Sequence, residues 1–193
     1  MTFLILGLVL FLGVHSVRIV ADGWRSRVLA QRGEGAWKGL YTLVSLAGFA
    51  LIVWGYGMAR QQPIVLWPSP TWTRHLAALL TLPAFVMLVA AYVPGNAIKA
   101  RLHHPMVLAV KVWAFAHLLA NNTLADLFLF GGFLVWALAD FRSARQRDRV
   151  NHTVYAPGRA LPTVIAVLVG VVAWAGFAMW AHRAWIGVRP FGG

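Results

Sequence analysis

The few residues of this chain that can do chemistry sit where keeping them is expensive. His15, Arg18 and Asp22 follow one another at spacings of three and four, so one helix face carries all three. Trp113, His117 and Asn121 recur at spacings of four and share a second face. Both histidines interrupt long apolar runs. An ionisable group inside lipid costs free energy, so a residue kept there is a functional candidate. Two such histidines on separate helices, in a chain with no cysteine, point to haem b with one imidazole on each side of the iron. His15 and His117 are the metal-ligand candidates. Ser16, Trp113 and Asn121 are candidates for setting the cofactor's orientation and potential. Arg18 either joins them or pairs with Asp22 at the membrane boundary. The bland alternative is two histidines bonded to backbone, Asn or Ser. Non-haem iron would want carboxylates beside the histidines. None of Asp22, Glu34, Asp126, Asp140 and Asp148, the five acidic residues, completes such a set.

Other polar residues read more plainly. Lys111 is mid-membrane by count and is a functional candidate, its bland alternative being a buried amine paired with Asp126 or a carbonyl. His103 and His104 precede Pro105, as residues at a wet helix start do. His75, His152 and His182 fall at segment ends and are expected at the surface. His117 follows His104 by thirteen residues, roughly 20 Å along a helix, so those two cannot share a metal ion. Counted from the basic edge, His15 lies roughly 9–14 Å deep and His117 roughly 20 Å deep. A shared haem therefore needs a tilted helix or an inclined iron axis, and tilts of about 20° are ordinary.

The elements that position these residues are apolar runs at about Thr2–Ala21, Gly39–Ala59, His75–Tyr92, Pro105–Ala120, Leu124–Ala139 and Leu161–Ala181. They predict an all-α polytopic membrane bundle of about six transmembrane helices, forming a single domain over 1–193. Composition agrees. The chain is 60% hydrophobic and 11% charged, whereas a soluble domain carries about 25% charged residues. The first run lacks a basic leader and a small-residue cleavage site, and reads as a retained helix. The net charge of +12 does not indicate nucleic acid, because Lys and Arg fall in short segments between apolar runs. Segments 22–38, 93–104 and 140–160 hold eleven of them, while the alternate side holds Arg60, Arg74, Arg183 and Arg189. The richer side is expected in the cytoplasm, which places both termini in the periplasm or exterior. Val93-Pro94-Gly95-Asn96 ends the third run. Trp67 and Trp72, set among prolines, are expected at the outer membrane surface.

Six stretches resemble the NnrU family: Phe11-Leu12-Gly13-Val14-His15-Ser16, Trp37-Lys38-Gly39-Leu40-Tyr41, Val53-Trp54-Gly55-Tyr56-Gly57, Tyr92-Val93-Pro94-Gly95-Asn96, His104-Pro105-Met106 and Ala116-His117-Leu118-Leu119-Ala120-Asn121. The resemblance covers about residues 1–150. It implies a bacterial inner-membrane protein linked to nitrite and nitric oxide reduction. The same motifs are similar to those of plant ζ-carotene isomerase, which holds haem b and isomerises a cis double bond in a redox-dependent way. That enzyme's ligand histidines lie in a His-Ser motif and in an Ala-His motif thirteen residues after a His-Pro. His15 matches the first and His117 the second. The implied partners are membrane lipid and either nitric oxide or a hydrophobic substrate.

Leu102-His103-His104-Pro105-Met106 is similar, more distantly, to the Arg-His-Pro stretch of membrane methyltransferases such as isoprenylcysteine carboxyl methyltransferase. Here His103 replaces the Arg, and the later segment, Phe141 to Asp148, is basic. No carboxylate to hold S-adenosylmethionine is evident, so the resemblance implies a shared fold without the methyl-transfer site. Three readings follow: a haem protein with a redox or isomerase role, a methyltransferase, and a non-catalytic assembly factor for a reductase complex. In the last, segment 140–160 would be a docking or anionic-lipid surface.

Overall fold

The computed structural model describes residues 1–191. The helices are α1 (Thr2–Val20), α2 (Asp22–Ala59), α3 (Thr71–Tyr92), α4 (Ala97–Leu102), α5 (Pro105–Ala120), α6 (Leu124–Val150), α7 (Ala160–Gly176) and α8 (His182–Ile186). A π turn, Phe177–Ala181, joins the last two. Among the described residues no strand forms. Five stretches are long and apolar enough to cross a membrane: α1, α2, α3, α6 and the run Ala160–Ile186. The shorter apolar α5 makes a sixth helix. The protein is an all-α membrane protein, as the apolar runs predict. Leu43, Leu79, Val135 and Val172 remain exposed on their helices, the surface a lipid solvent covers.

The ends of the helices differ from the sequence reading. Segment 22–38, expected to be a basic connector, is helical from Asp22. Gly33 breaks that helix at φ 78° and ψ 164°, a conformation open to glycine because it has no Cβ. α2 therefore has a short arm before Gly33 and a long arm after it. α6 likewise continues past its apolar part into the basic segment up to Val150.

The chain divides into two compact units. Unit 1 comprises Met1–Trp67 and Thr123–Asp140. Within it α1 and the long arm of α2 run antiparallel and touch through glycines. A Cβ on Gly7 would lie 2.6 Å from the Ile52 nitrogen, and one on Gly48 would lie 2.7 Å from the Phe11 nitrogen. A Cβ on Gly55 would strike the Leu4 backbone. Small residues of this kind let backbones approach where lipid offers no hydrophobic drive between helices. The first half of α6 completes the unit. Thr123 and Asp126 cap it reciprocally: the Thr123 amide donates to Asp126 Oδ2 (2.9 Å) and the Asp126 amide to Thr123 Oγ1 (3.3 Å). The Tyr56 hydroxyl donates to the other carboxylate oxygen at 2.5 Å.

Unit 2 comprises Pro68–Asn122 and Phe141–Gly193. Its α3 packs on α5 and α7. Gly170 lies against Val86, and the Trp174 indole donates to Thr81 Oγ1 at 3.1 Å. Asn96, 1% exposed, explains the Val93-Pro94-Gly95-Asn96 turn. Its Oδ1 accepts from the Lys99 amide (2.8 Å), and its Nδ2 donates to the carbonyls of Ala90 (2.8 Å) and Val93 (2.5 Å). One side chain thus ends α3 and starts α4.

Candidate functional site

His15 lies in unit 1, half-buried on α1. Its Nδ1 is 2.6 Å from the Phe11 carbonyl oxygen, one turn earlier. A carbonyl can only accept, so Nδ1 carries the proton and the neutral ring's lone pair falls on Nε2. Aromatic rings surround the imidazole. Phe11 stacks on it at 4.2 Å, Tyr41 tilts against it at 5.1 Å, and Trp136 meets it edge-on at 6.0 Å. Trp136 Nε1 is buried with no hydrogen-bond partner, as is Ser45 Oγ. The register that sets Gly7 against Ile52 and Phe11 against Gly48 brings Ser45 level with His15.

A cavity of about 530 Å³ opens beside His15. α1 contributes Val14, His15, Val17 and Arg18; the short arm of α2 contributes Arg25 and Leu29; the long arm contributes Glu34, Trp37, Lys38 and Tyr41. The break at Gly33 makes this possible, since it folds the arms so that Trp24 and Trp37 meet at 5.8 Å. Arg25 stands over the Trp37 ring at 5.9 Å. Arg18 lies 4.0 Å from Asp22, the pairing expected from their spacing. Ser16 bonds to the Leu12 carbonyl of its own helix at 2.6 Å.

His117 lies in unit 2 and repeats the arrangement. Its Nδ1 is 2.9 Å from the Trp113 carbonyl oxygen, one turn earlier on α5. The Trp113 ring tilts against the imidazole at 5.1 Å. The Asn121 side-chain amide donates to the His117 carbonyl at 2.8 Å. The face shared by Trp113, His117 and Asn121 is therefore a connected set.

Two expectations need correction. Asp126 caps α6 and accepts from Tyr56, while the Lys111 ammonium lies 4.7 Å over the Phe141 ring. Each finds partners within its own unit. The apolar surroundings favour a ring face for the ammonium, where its charge meets the quadrupole. The second correction concerns the missing carboxylate. His104 Nε2 is 2.7 Å from Asp148 Oδ2, which also accepts from the Tyr155 hydroxyl at 3.0 Å. His103 stacks on Tyr155 at 4.1 Å and bonds to Arg145. His103 and His104 form a polar cluster, not merely a helix start. His75 and His152 are exposed, as expected, and His182 bonds to the Val188 carbonyl.

Tyr41, Trp136, Arg25 and Lys38 are the neighbours of His15 that residue spacing does not reveal. A signal existed for two of them, since Lys38 and Tyr41 lie in one of the motif stretches. Among the described residues no three His, Asp or Glu side chains gather to hold a bare metal ion. A macrocycle that brings its own nitrogens needs only an axial imidazole. The cavity beside His15 fits such a group: an imidazole with its lone pair at Nε2, the rings of Trp37 and Tyr41, and three cations.

A family model, NnrU protein, matches residues 3–190. The chain belongs to the NnrU family. Comparison with curated proteins and with solved structures found no match. Family membership thus covers nearly the whole chain, including the last helices, beyond the stretch whose motifs carry the resemblance.

Proposed function

We propose that this NnrU-family protein binds haem b in the membrane and that the imidazoles of His15 and His117 would hold it. The observation that supports the reading most is common to both histidines. Each Nδ1–H is bonded to the carbonyl four residues earlier, which holds the ring and leaves the lone pair at Nε2. Such a bond fixes the tautomer of a ligand histidine and raises its basicity.

Haem would supply one-electron redox chemistry and a place to bind nitric oxide or a substrate double bond. The chain's own residues do the rest. Phe11, Tyr41 and Trp136 pack around the His15 imidazole and hold its orientation. Trp113 does the same for His117, and Asn121 ties up the backbone carbonyl behind it. Arg18 stands at the cavity beside His15, where a cation favours bound negative charge. The role that fits is redox chemistry on nitric oxide or on a hydrophobic molecule, linked to nitrite and nitric oxide metabolism. Redox-dependent isomerisation is its catalytic form. The eleven-to-four distribution of Lys and Arg supports a bacterial inner membrane with both termini in the periplasm.

Absorption spectra of the purified wild type, His15→Ala and His117→Ala, oxidised and reduced, test this. The expected result is a Soret band in the wild type and its loss in both variants, with helicity unchanged. A wild type without that band, even after haem loading, ends the reading.

A second reading attaches to the His104 edge, where Asp148 supplies a carboxylate beside a His-Pro pair. There S-adenosylmethionine would bind and donate a methyl group to a lipid-soluble acceptor. Calorimetric titration with S-adenosylmethionine that shows no heat removes it.

A further inference from the structure

The cavity beside His15 has a charge pattern that the axial ligands do not use. Its lining holds Arg18, Arg25 and Lys38 against a single carboxylate, Glu34. Lys38 bonds to Glu34 at 2.9 Å, and Arg25 approaches Asp22 only to 3.7 Å. Arg18 also lies 4.0 Å from Asp22, so the three cations face two carboxylates and remain in excess by one. The cations come from three chain segments that converge because Gly33 breaks α2. Trp37 holds the Arg25 guanidinium by its ring face, which orients the group without neutralising it. The buried, unpartnered indole N–H of Trp136 lies on the His15 side of this arrangement.

We infer that Arg25 and Lys38, with Arg18, form a seat for two carboxylates carried by the cofactor that His15 ligates. The inference rests on the haem reading and deepens it. Haem b bears two propionates, ionised at neutral pH, and the three cations of the lining are of the sign that receives them. Guanidinium and ammonium donors give carboxylates short, charge-assisted hydrogen bonds. Glu34 then acts as an internal competitor for Lys38, holding the seat's cation until a propionate takes its place. A carboxylate seat at the mouth and an imidazole deeper in would also fix which edge of the macrocycle faces out.

The experiment is a titration of the full-length protein in lipid nanodiscs with haem b and, separately, with its dimethyl ester, which keeps the iron and the ring but has no carboxylates. Absorbance reports binding and circular dichroism reports the fold. Wild type should bind haem b about tenfold or more tighter than the ester, as expected for charged hydrogen bonds. Arg25→Gln with Lys38→Gln should remove most of the advantage of haem b over the ester and leave ester binding unchanged. Lys38→Arg should restore most of the difference, and Glu34→Gln should enlarge it. The same double variant should shift the midpoint of haem reduction negative, because lost positive charge favours the ferric form. Equal affinity for haem b and the ester in wild type, or equal loss of both in the double variant, overturns the seat and leaves the haem reading standing. No band with either porphyrin in wild type removes both.

Discussion

His15 and Trp136 meet edge to face, with ring centres 6.0 Å apart and planes at 89°. They come from α1 and α6, and the indole N–H is buried with no partner. An orphaned donor costs free energy, so removing it offsets part of what a smaller ring loses. Trp136→Phe is expected to change the stability of the cofactor-free protein by no more than about 1 kcal/mol. Thermal unfolding in detergent measures this. A loss well beyond it would mean that the indole is bonded after all.

Gly33 is the hinge of the His15 cavity. At φ 78° and ψ 164° a Cβ is strained whatever space surrounds it, and nothing lies within 4 Å of the site. Gly33→Ala should therefore cost about 1–3 kcal/mol through backbone strain alone. Relief of that strain would swing Arg25 away from Trp37. The paired signature is a lower melting temperature and weaker haem binding. A variant that melts lower but binds haem b as well as wild type does would separate the hinge from the cavity.

Two glycines on the long arm of α2 make a matched pair. A Cβ on Gly55 would strike the backbone of Leu4, whereas one on Gly57 meets nothing within 4 Å. Gly55→Ala should push α1 and α2 apart and cost about 2 kcal/mol or more. Gly57→Ala should be neutral or stabilising by up to about 1 kcal/mol, because alanine is the better helix former. Unfolding in graded denaturant ranks the two, and equal effects would contradict the close approach.

Tyr155 gives an alkaline dependence. Burial, then the hydrogen bond to Asp148 and the charge of that carboxylate, raise its hydroxyl above the usual tyrosine value; Arg145 opposes them. A raised acid pKa means that the folded state holds the proton longer than the unfolded chain. The stabilisation is complete below about pH 10 and is lost as pH rises through the folded value. Tyr155→Phe should be less stable at neutral pH and show a shallower fall above about pH 10. Parallel slopes for the two proteins would show that folding does not raise the Tyr155 hydroxyl.

Much of the architecture follows from local pattern. Apolar runs of the right length must be helices in lipid, because no other backbone satisfies its polar groups there. Asn96 after Pro94-Gly95, and Pro105 after His104, mark helix starts through chemistry confined to a few residues. The Nδ1 contacts of His15 and His117 are one-turn contacts of the same kind, so both candidate ligands were legible as motif positions. The helical part of 22–38 was not. Its charges resemble a connector, and only folding shows that Gly33 bends a helix there so that Arg25 and Lys38 line one cavity. Trp136 beside His15, Asp148 beside His104 and Asp126 under Tyr56 are long-range contacts between helices. Spacing along the chain says which face of a helix a residue occupies. Which neighbour that face meets depends on how backbones pack, and at Gly7, Gly48 and Gly55 the absence of a side chain settles it.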